Sequence, residues 1–384
     1  MVRAPTRPGF SLLPAAIGVT SARFGDNMIV LFQRSLAPYR VSLFNSLSDA
    51  LDGEFTLVLT RRDPTPDRLW TVPWSEVNFR VVVLDGPRFG IGRGTIDVSH
   101  GVGATLDGLK PQTVIVGGWD VHACWAALRW ARRRGVPLVG WVESSQYTGL
   151  HRGVLSGAIR RRFLTACSAA IVPGAAAEAF VRQLAPALPC YHAPNSVAVP
   201  DLRAISEPPP LGAAMFMGEL SQRKGADLVL AAATQILQLF PRLIVAGDGP
   251  LRADVTALAS RLPGLEYAGF VEGPEKAQLF EQSAVILIPS RRDPWPLVAC
   301  EALVGLRPIV VGPGVGSLPE LRQVAGEAVS AMSAATPGDL VDAARRAKGQ
   351  PVPLGLKTAF RPETVAAAMA TAARYAASAG GPVL

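Results

Sequence analysis

The chain has 384 residues, of which 49% are hydrophobic and 18% are charged, and its formal net charge is +8. Because a single hydrophobic core stops growing near about 250–300 residues, this length predicts two domains, and so apolar a composition excludes an intrinsically disordered chain. No run of about 20 apolar residues occurs, so no membrane-spanning helix is expected.

The first predicted elements follow residues 1–27, which we expect to be a loose extension rather than a cleaved leader. Short apolar runs bounded by turn residues predict five buried strands. They lie at 28–33, 55–60, 79–84, 113–117 and 137–142. A helical pattern at 121–134, stopped by Gly135, separates the last two. Alternating strands and helices indicate a parallel sheet covered on both faces, so 28–199 is predicted to be a first Rossmann-like domain.

The same alternation starts again after a proline-rich boundary at 206–211. Strands are predicted at 213–217, 242–246, 265–267, 285–289 and 308–311, and helices at 226–239, 251–262, 276–282 and 297–304. Residues 200–361 thus form a second Rossmann-like domain, and a last helix is predicted at 362–378. The predicted fold class is α/β, with two doubly wound domains facing a central cleft, where such sheets usually bind ligands.

Two motifs of the second domain are turns at strand ends. In the first, Gly218 and Glu219 follow a strand, and Arg223 and Lys224 precede a helix. Glycine lets the backbone approach a ligand closely, and a lysine beside a helix N-terminus can neutralise a diphosphate. The second turn begins at Gly247 and runs to residue 250. Taken alone, each turn is equally typical of an ordinary surface loop.

A third motif spans residues 289–302 and carries two carboxylates. Asp293 lies in a loop, and Glu301 lies inside a helix that is predicted to start near Leu297. The unpaired amides of a first helical turn, near Leu297 and Val298, form an anion site. The Glu301 carboxylate has enough acceptor capacity for both hydroxyls of a ribose. Read alone, a solvated acid on a helix is the alternative.

In this order and spacing, residues 213–320 resemble the donor domain of retaining GT-B glycosyltransferases of family 4. The matches are Gly218, Lys224-Gly225, Gly247–Pro250, Gly269-Phe270-Val271, Pro289-Ser290, Leu297, Glu301-Ala302, Gly316 and Pro319-Glu320. The first domain matches one branch of that family more loosely, at 38–45, 118–119, 141–144 and 194–195. In related enzymes the last helix crosses back onto the first domain, which predicts that course for 362–378.

The chain departs from the family pattern at three places. Asp293 stands where the family usually has its first Glu, and Glu219 stands where an Arg often meets the diphosphate. Pro294 and Pro296 replace glycines and remove two backbone donors. These departures leave open a catalytically degenerate binding or scaffold protein as an alternative.

The resemblance implies a retaining glycosyltransferase that uses a nucleotide sugar, UDP- or GDP-linked. Lys224, helped by Arg223, would stabilise the leaving diphosphate. Glu301 would hold the ribose, and Asp293 would bind a hydroxyl of the donor sugar. Val271, at the end of its strand, would lie against the base. No D-x-D motif occurs, so neither a metal nor any further cofactor is expected.

The acceptor side is predicted from the first domain. Tyr39 and Arg40 lie in the turn after the first strand, and Glu143, at a strand end, is a candidate catalytic base or acceptor ligand. Residues 1–192 hold 21 basic and 13 acidic residues, whereas 193–384 hold 17 of each. This asymmetry indicates an anionic partner for the first half, unless its arginines are merely solvated.

An anionic membrane surface is the partner that the basic clusters favour. The clusters are Arg132–Arg134 and Arg160–Arg162, the second flanked by Ile159, Phe163 and Leu164. The predicted acceptor is then a glycolipid, polysaccharide or other cell-envelope precursor at the inner face of the cell membrane. A small soluble acceptor is the alternative. The four scattered cysteines indicate a reduced, cytoplasmic protein.

Other classes of protein fit the sequence less well. An epimerase acting on a sugar nucleotide would share the fold, and a phosphorylase would need a pyridoxal lysine that no motif marks. A nucleic-acid binder is suggested only by the basic balance, without a recognised module or interleaved basic and aromatic residues. No nucleic-acid partner is therefore expected.

Overall fold

A computed structural model of the protein describes residues 27–62, 71–91, 94–146, 154–205, 208–209 and 212–379. The predicted extension at 1–27 and the proline-rich boundary at 206–211 lie almost entirely outside these ranges. Two parallel sheets with flanking helices form the described chain, which confirms the predicted α/β fold with two doubly wound units.

The first sheet contains seven parallel strands. The strands of this half are β1 (Ile29–Gln33), β2 (Phe55–Leu59), β3 (Arg80–Val83), β6 (Thr113–Val116), β7 (Leu138–Trp141), β8 (Ala169–Val172) and β9 (Cys190–His192), with a separate hairpin of β4 (Arg88–Ile91) and β5 (Gly94–Asp97). Their order in the sheet is β3-β2-β1-β6-β7-β8-β9. The helices are α1 (Pro38–Ala50), α2 (Val102–Leu109), α3 (His122–Arg134), α4 (Val154–Leu164) and α5 (Ala175–Leu184).

The second sheet contains six parallel strands in the order β12-β11-β10-β13-β14-β15. They are β10 (Ala213–Met217), β11 (Leu243–Ala246), β12 (Leu265–Gly269), β13 (Ser283–Ile288), β14 (Ile309–Val311) and β15 (Val329–Ala331). The helices are α6 (Pro200–Ala204), α7 (Ala226–Leu239), α8 (Arg252–Ala259), α9 (Gly273–Glu281), α10 (Leu297–Val304), α11 (Leu318–Ala325), α12 (Pro337–Ala347) and α13 (Pro362–Ala379).

The central strands are apolar along their whole length because helices cover both faces of each sheet. All residues of β2, β6 and β13 are buried. The last helix, α13, packs on the first sheet rather than the second: Val365 and Met369 lie in the same buried cluster as Phe44 of α1. The chain therefore returns to its first domain after completing the second.

Each sheet has one point where the strand order reverses. In the first sheet the reversal lies between β1 and β6, and in the second it lies between β10 and β13. Loops leaving two such strands diverge to opposite sides and open a crevice at the carboxyl edge of the sheet. The residues that follow β1, β6, β10 and β13 are therefore the first place to look for a site.

Candidate functional site

The loops after β10 and β13 lie side by side. The amide of Arg291 donates to the carbonyl oxygen of Arg223 at 2.9 Å. Gly225 has φ of +79°, and a Cβ added there would lie 2.3 Å from the carbonyl oxygen of Pro289. Only glycine allows this approach and this backbone conformation, so the sequence Lys224-Gly225 places the lysine beside the second loop.

Lys224 and Asp293 form an ion pair between these loops. The Asp293 side chain is 6% exposed and that of Lys224 is 23% exposed. The Asp293 backbone is fixed on both sides, because its amide donates to Gly314 O at 3.0 Å and its carbonyl accepts from Gly316 N at 2.9 Å. Lys224 was predicted to contact the diphosphate and Asp293 the donor sugar. In the structure the two residues lie together and pair with each other.

Glu301 also has a basic partner, one that the sequence analysis missed. Lys276 Nζ lies 2.6 Å from Glu301 Oε1, and the two side chains are 23% and 12% exposed. Lys276 belongs to α9, which follows the edge strand β12, so it reaches the same carboxyl edge from the side of the sheet. The available signal was a lysine in the first turns of a helix that begins just after a strand.

The unusual Glu219 is paired with Arg223. Burial by itself would raise the pKa of the Glu219 carboxyl, but the hydrogen bond and the charge of Arg223 outweigh it, so the pKa lies below its usual value. Arg223 also donates to the carbonyl oxygen of Arg292 at 3.3 Å. The negative charge of Glu219 is therefore neutralised locally, next to Lys224.

The remaining predicted donor residues surround the same loops. Gly247 has φ of +130°, and an added Cβ would lie 1.8 Å from the carbonyl oxygen of Gly218, so the two turns touch through their backbones. Leu297 and Val298 begin α10 as predicted. Val271 was predicted at the end of its strand, and this was wrong: β12 ends at Gly269, whose φ of +72° turns the chain. Val271 lies in the loop before α9.

The predicted acceptor-side residues form one polar group at the carboxyl edge of the first sheet. Arg40 Nη2 donates to Glu143 Oε2 at 2.6 Å, Nη1 donates to Gln33 Oε1 at 2.9 Å, and Nε donates to the Tyr39 hydroxyl at 3.1 Å. The guanidinium also stacks 4.5 Å from the ring centre of Trp141. Burial, the largest influence, lowers the pKa of Arg40, but Glu143 and Tyr39 together raise it above its usual value, so Arg40 stays charged.

The two domains touch beside Glu143. A narrow cavity there is lined by Glu143, Ser145 and Gly174 from the first half and by Pro294, Trp295 and Gly316 from the second. This places the acceptor-side group opposite the loop that carries Asp293.

A carboxylate from the second domain caps a helix of the first. Glu320 Oε1 accepts a hydrogen bond from the amide of Ala175, at the start of α5, at 2.6 Å. A negative charge is favourable at a helix N-terminus. A Cβ added to Gly174 would lie 2.3 Å from that oxygen, so a larger residue there would displace the Glu320 carboxylate.

The two basic clusters that were predicted to contact a membrane are only partly exposed and free of other contacts. Arg132–Arg134 end α3 and are exposed, with Arg134 paired to Asp107 at 2.7 Å. Arg160 lies 5.6 Å from the Trp119 ring centre. The expectation that Phe163 and Leu164 face the membrane was wrong, because they are 1% and 0% exposed and belong to the core. In the second cluster the apolar neighbour that is exposed is Ile159, at 41%.

No grouping of three or more His, Cys, Asp and Glu side chains that could hold a metal ion occurs within the described ranges. The expectation that no metal is needed stays a prediction. Of the helices that the structure describes, none is both long and apolar enough to span a bilayer.

The family model described as glycosyl transferases group 1 matches residues 213–347. This segment of the chain is therefore similar to the glycosyl transferases group 1 family. The match begins with β10 and ends with α12, so it contains the whole second sheet and both lysine–carboxylate pairs. The finer prediction, family 4, stays a prediction.

Similar proteins agree with this assignment. An uncharacterized glycosyltransferase of Methanocaldococcus jannaschii, MJ1607, is 32% identical over 111 residues, which are 28% of this chain and 28% of that protein. The matched segment spans only 28% of the length of the curated relatives that the chain resembles.

Solved structures show the same fold over most of the chain. Sucrose-phosphate synthase from Thermosynechococcus elongatus superposes with a TM-score of 0.66 at 17% identity, covering 92% of this chain and 100% of that one. Anabaena HepE, solved with UDP and glucose, gives a TM-score of 0.64 at 13% identity, covering 90% of this chain and 98% of HepE. At such identities the likeness concerns the fold alone, which is of the GT-B kind.

Proposed function

We propose that the protein is a retaining glycosyltransferase that moves a sugar from a nucleoside diphosphate to a hydroxyl acceptor. The observation that carries this proposal is the pairing of Lys224 with Asp293 and of Lys276 with Glu301 at the carboxyl edge of a glycosyl transferases group 1 domain. Two basic and two acidic groups there match the two needs of a nucleotide sugar, anionic phosphates and neutral hydroxyls.

Each group would exchange its partner when the donor binds. Lys224, with Arg223, would leave Asp293 for the diphosphate, and the first amides of α10, at Leu297 and Val298, would face the same charge. Asp293 would then accept a hydrogen bond from a hydroxyl of the donor sugar. The close backbone turns at Gly218 and Gly247 would admit the phosphates without a side-chain clash.

The nucleoside would lie toward α9 and α10. Glu301 would accept from the ribose hydroxyls after parting from Lys276, and Val271 would lie against the base. A UDP- or GDP-sugar is the proposed donor, and the UDP found in HepE supports the first of these. No further cofactor and no metal are proposed.

In the transfer step, the bond between the anomeric carbon and the diphosphate oxygen breaks while the acceptor oxygen attacks from the same face. Configuration is then retained. Glu143, fixed by Arg40 and lying by the cavity between the domains, would orient the acceptor hydroxyl or take its proton. Tyr39 and Arg40 would line the acceptor side.

The proposed acceptor is a glycolipid, polysaccharide or other cell-envelope precursor, reached from the cytoplasm at the inner face of the membrane. Support comes from the exposed arginines that end α3 and from Arg161 and Arg162 on α4, which are exposed as well. Arg160 contributes less, since it packs on Trp119.

A binding or scaffold protein without turnover is the second candidate. The specific observation in its favour is that Lys224, Glu301 and Glu219 each already have a partner, while Pro294 and Pro296 remove two amides beside them.

Release of nucleoside diphosphate from UDP-, GDP-, ADP- and TDP-glucose separates the two candidates. We expect release from one of these donors, slow with water and faster with an acceptor, and its loss in Lys224→Ala. Lys110→Ala, which removes an exposed lysine between α2 and β6 of the first half, should behave as the wild type. Binding of a nucleotide without release would favour the scaffold.

A further inference from the structure

A second group of charges lies at the carboxyl edge of the first sheet, among residues with no role above. It consists of Arg34, Arg61, Arg88 and Asp97, called here the Asp97 cluster. Arg61 Nε lies 2.7 Å from Asp97 Oδ1, Arg88 Nε lies 3.7 Å from the same oxygen, and Arg34 Nε lies 3.7 Å from Asp97 Oδ2. One carboxylate thus gathers three guanidinium groups from three separate segments.

The Asp97 cluster carries more positive than negative charge. Asp97 and Arg61 are each 5% exposed and form a buried pair. Asp120 adds a second carboxylate, 3.1 Å from Arg34 Nη2, but its side chain is 64% exposed. Among the described residues, three guanidinium groups face two carboxylates, and this excess of positive charge beside a buried pair favours the binding of an anion.

Arg34 and Arg88 have N–H groups that could donate hydrogen bonds to a ligand. Arg34 Nε is a buried atom without a hydrogen-bond partner among the described residues, and the Arg88 side chain is 58% exposed. A guanidinium presents a planar set of N–H donors that suits two oxygens of one phosphate. The exposed Arg88 guanidinium and the Arg34 guanidinium, which lie on opposite oxygens of Asp97, can together donate to such oxygens.

The position in the fold points the same way. Arg34 directly follows β1 and its partner Asp120 lies after β6, so the pair spans the place where the order of the first sheet reverses. Ligands of doubly wound sheets bind at that crevice. Gln33, the residue before Arg34, accepts a hydrogen bond from Arg40, which holds Glu143. The Asp97 cluster is therefore continuous with the acceptor-side group.

We propose that the Asp97 cluster binds a phosphate or diphosphate group of the acceptor and so sets the distance from that group to the hydroxyl held at Glu143. The proposal rests on the function proposed above and deepens it, since it names the acceptor as a phosphate ester or diphosphate. The excess charge of the first half then has a specific use in addition to any surface effect.

Calorimetry on the full chain tests this with two probes, geranyl diphosphate and inorganic phosphate, each with and without saturating UDP. The first probe represents a lipid-borne group and the second a free anion. We expect Arg88→Gln to weaken the bound probe about tenfold and Arg34→Gln combined with Arg88→Gln about a hundredfold, the effect of losing one and two charge-assisted contacts. Arg261→Gln, which removes an exposed arginine of the other domain, should change affinity less than about twofold.

UDP titrations on the same variants keep the two proposals apart. Unchanged UDP affinity with weakened probe binding supports the anion subsite, and geranyl diphosphate binding far tighter than phosphate assigns it to a lipid-borne group. Equal affinity of both probes assigns it to the anion alone. Probe binding at wild-type strength in the double variant, or no binding of either probe, overturns the proposal, whether or not UDP binds.

Discussion

The two crevices where strand order reverses are built alike but charged differently. At the second sheet, Lys224 pairs with Asp293 and, nearby, Lys276 pairs with Glu301, so each cation has its own carboxylate. At the first sheet, three arginines share Asp97, with Asp120 as an exposed second partner of Arg34.

Because of this difference in charge, the two crevices place different requirements on a ligand. In the second crevice, each lysine must separate from its carboxylate before either can bind a ligand. The ligand therefore has to offer an anion to the lysines and hydrogen-bond donors to the carboxylates, as a nucleotide sugar does. A set with excess positive charge can bind an anion without losing any of its own pairs. We therefore propose partner exchange for the crevice of the second sheet and direct anion capture for the crevice of the first.

The largest effect on activity should come from a substitution that breaks the ion pair between Lys224 and Asp293. Asp293→Asn keeps the size of the side chain but removes the carboxylate that would orient the donor sugar. We expect kcat to fall about 10²- to 10³-fold, in the range seen when one transition-state contact is removed. The affinity for UDP should stay the same or rise, because Lys224 no longer has to leave a carboxylate. Steady-state kinetics and calorimetry on one preparation measure both, and weaker UDP binding with normal kcat would contradict the partner exchange.

The second donor pair should separate nucleoside recognition from phosphate recognition. Glu301→Gln removes the charged acceptor proposed for the ribose, so UDP should bind about 10- to 100-fold more weakly. Pyrophosphate, which has no ribose, should bind the variant as it binds the wild type. An equal loss for both ligands would show that Glu301 acts through the phosphates or through the fold instead.

The contact between the domains should be sensitive to small changes at the start of α5. Gly174→Ala would push its Cβ against Glu320 Oε1, and Glu320→Gln would remove the charge that caps the helix. Each should lower the free energy of unfolding by about 1 kcal/mol, the usual value of such a cap. Because both act on one contact, the double variant should lose less stability than the sum of the two single losses.

Urea unfolding measures these losses, and Glu327→Gln, a substitution of an exposed residue nearby in the sequence, is the control. Additive losses would mean that the two residues act independently.

The smallest effect concerns the pH dependence of stability and comes from buried thiols, which lie in the cores of both halves. Burial raises the pKa of Cys124, Cys167 and Cys300 to about 12. Above the ordinary thiol pKa, near 9, the unfolded chain loses these protons while the folded chain keeps them, so stability falls as pH rises toward 12. Each thiol should contribute about 1–2 kcal/mol of this loss between pH 9 and 10.5.

Urea unfolding at those two pH values checks the effect of the thiols. Cys300→Ala should flatten the pH dependence by the share of one thiol, and Cys124→Ala combined with Cys167→Ala should flatten it by two. A pH dependence unchanged by all three substitutions would show that the thiols do not ionise differently in the two states.

Sequence patterns predicted the donor half closely because its signals are local. β10, α7 and α10 have the predicted bounds, since each is a periodic or apolar run that is followed directly by glycine or phenylalanine. Lys224, Asp293 and Glu301 could be predicted because each lies within a local sequence motif. Lys276 was missed because its partner lies on another helix, 25 positions away along the chain.

The first half was harder to predict because its signals are weak or distant. β9 has three residues and is partly exposed, and the alanines of β8 suit a helix as well as a strand. The Asp97 cluster joins residues as far apart as 34 and 97, and only the folded structure shows that their side chains meet. Glu320 and Ala175 lie 145 positions apart.

The most direct test of the central claim, that the second crevice binds a nucleoside diphosphate through Lys224, is calorimetric titration with UDP, GDP, ADP and TDP. Wild type, Lys224→Ala and Lys110→Ala are compared at one salt concentration. We expect selective binding of one nucleotide by the wild type and by Lys110→Ala, weakened at least about tenfold in Lys224→Ala. Equal binding by Lys224→Ala, or binding of none of the four by the wild type, would contradict it.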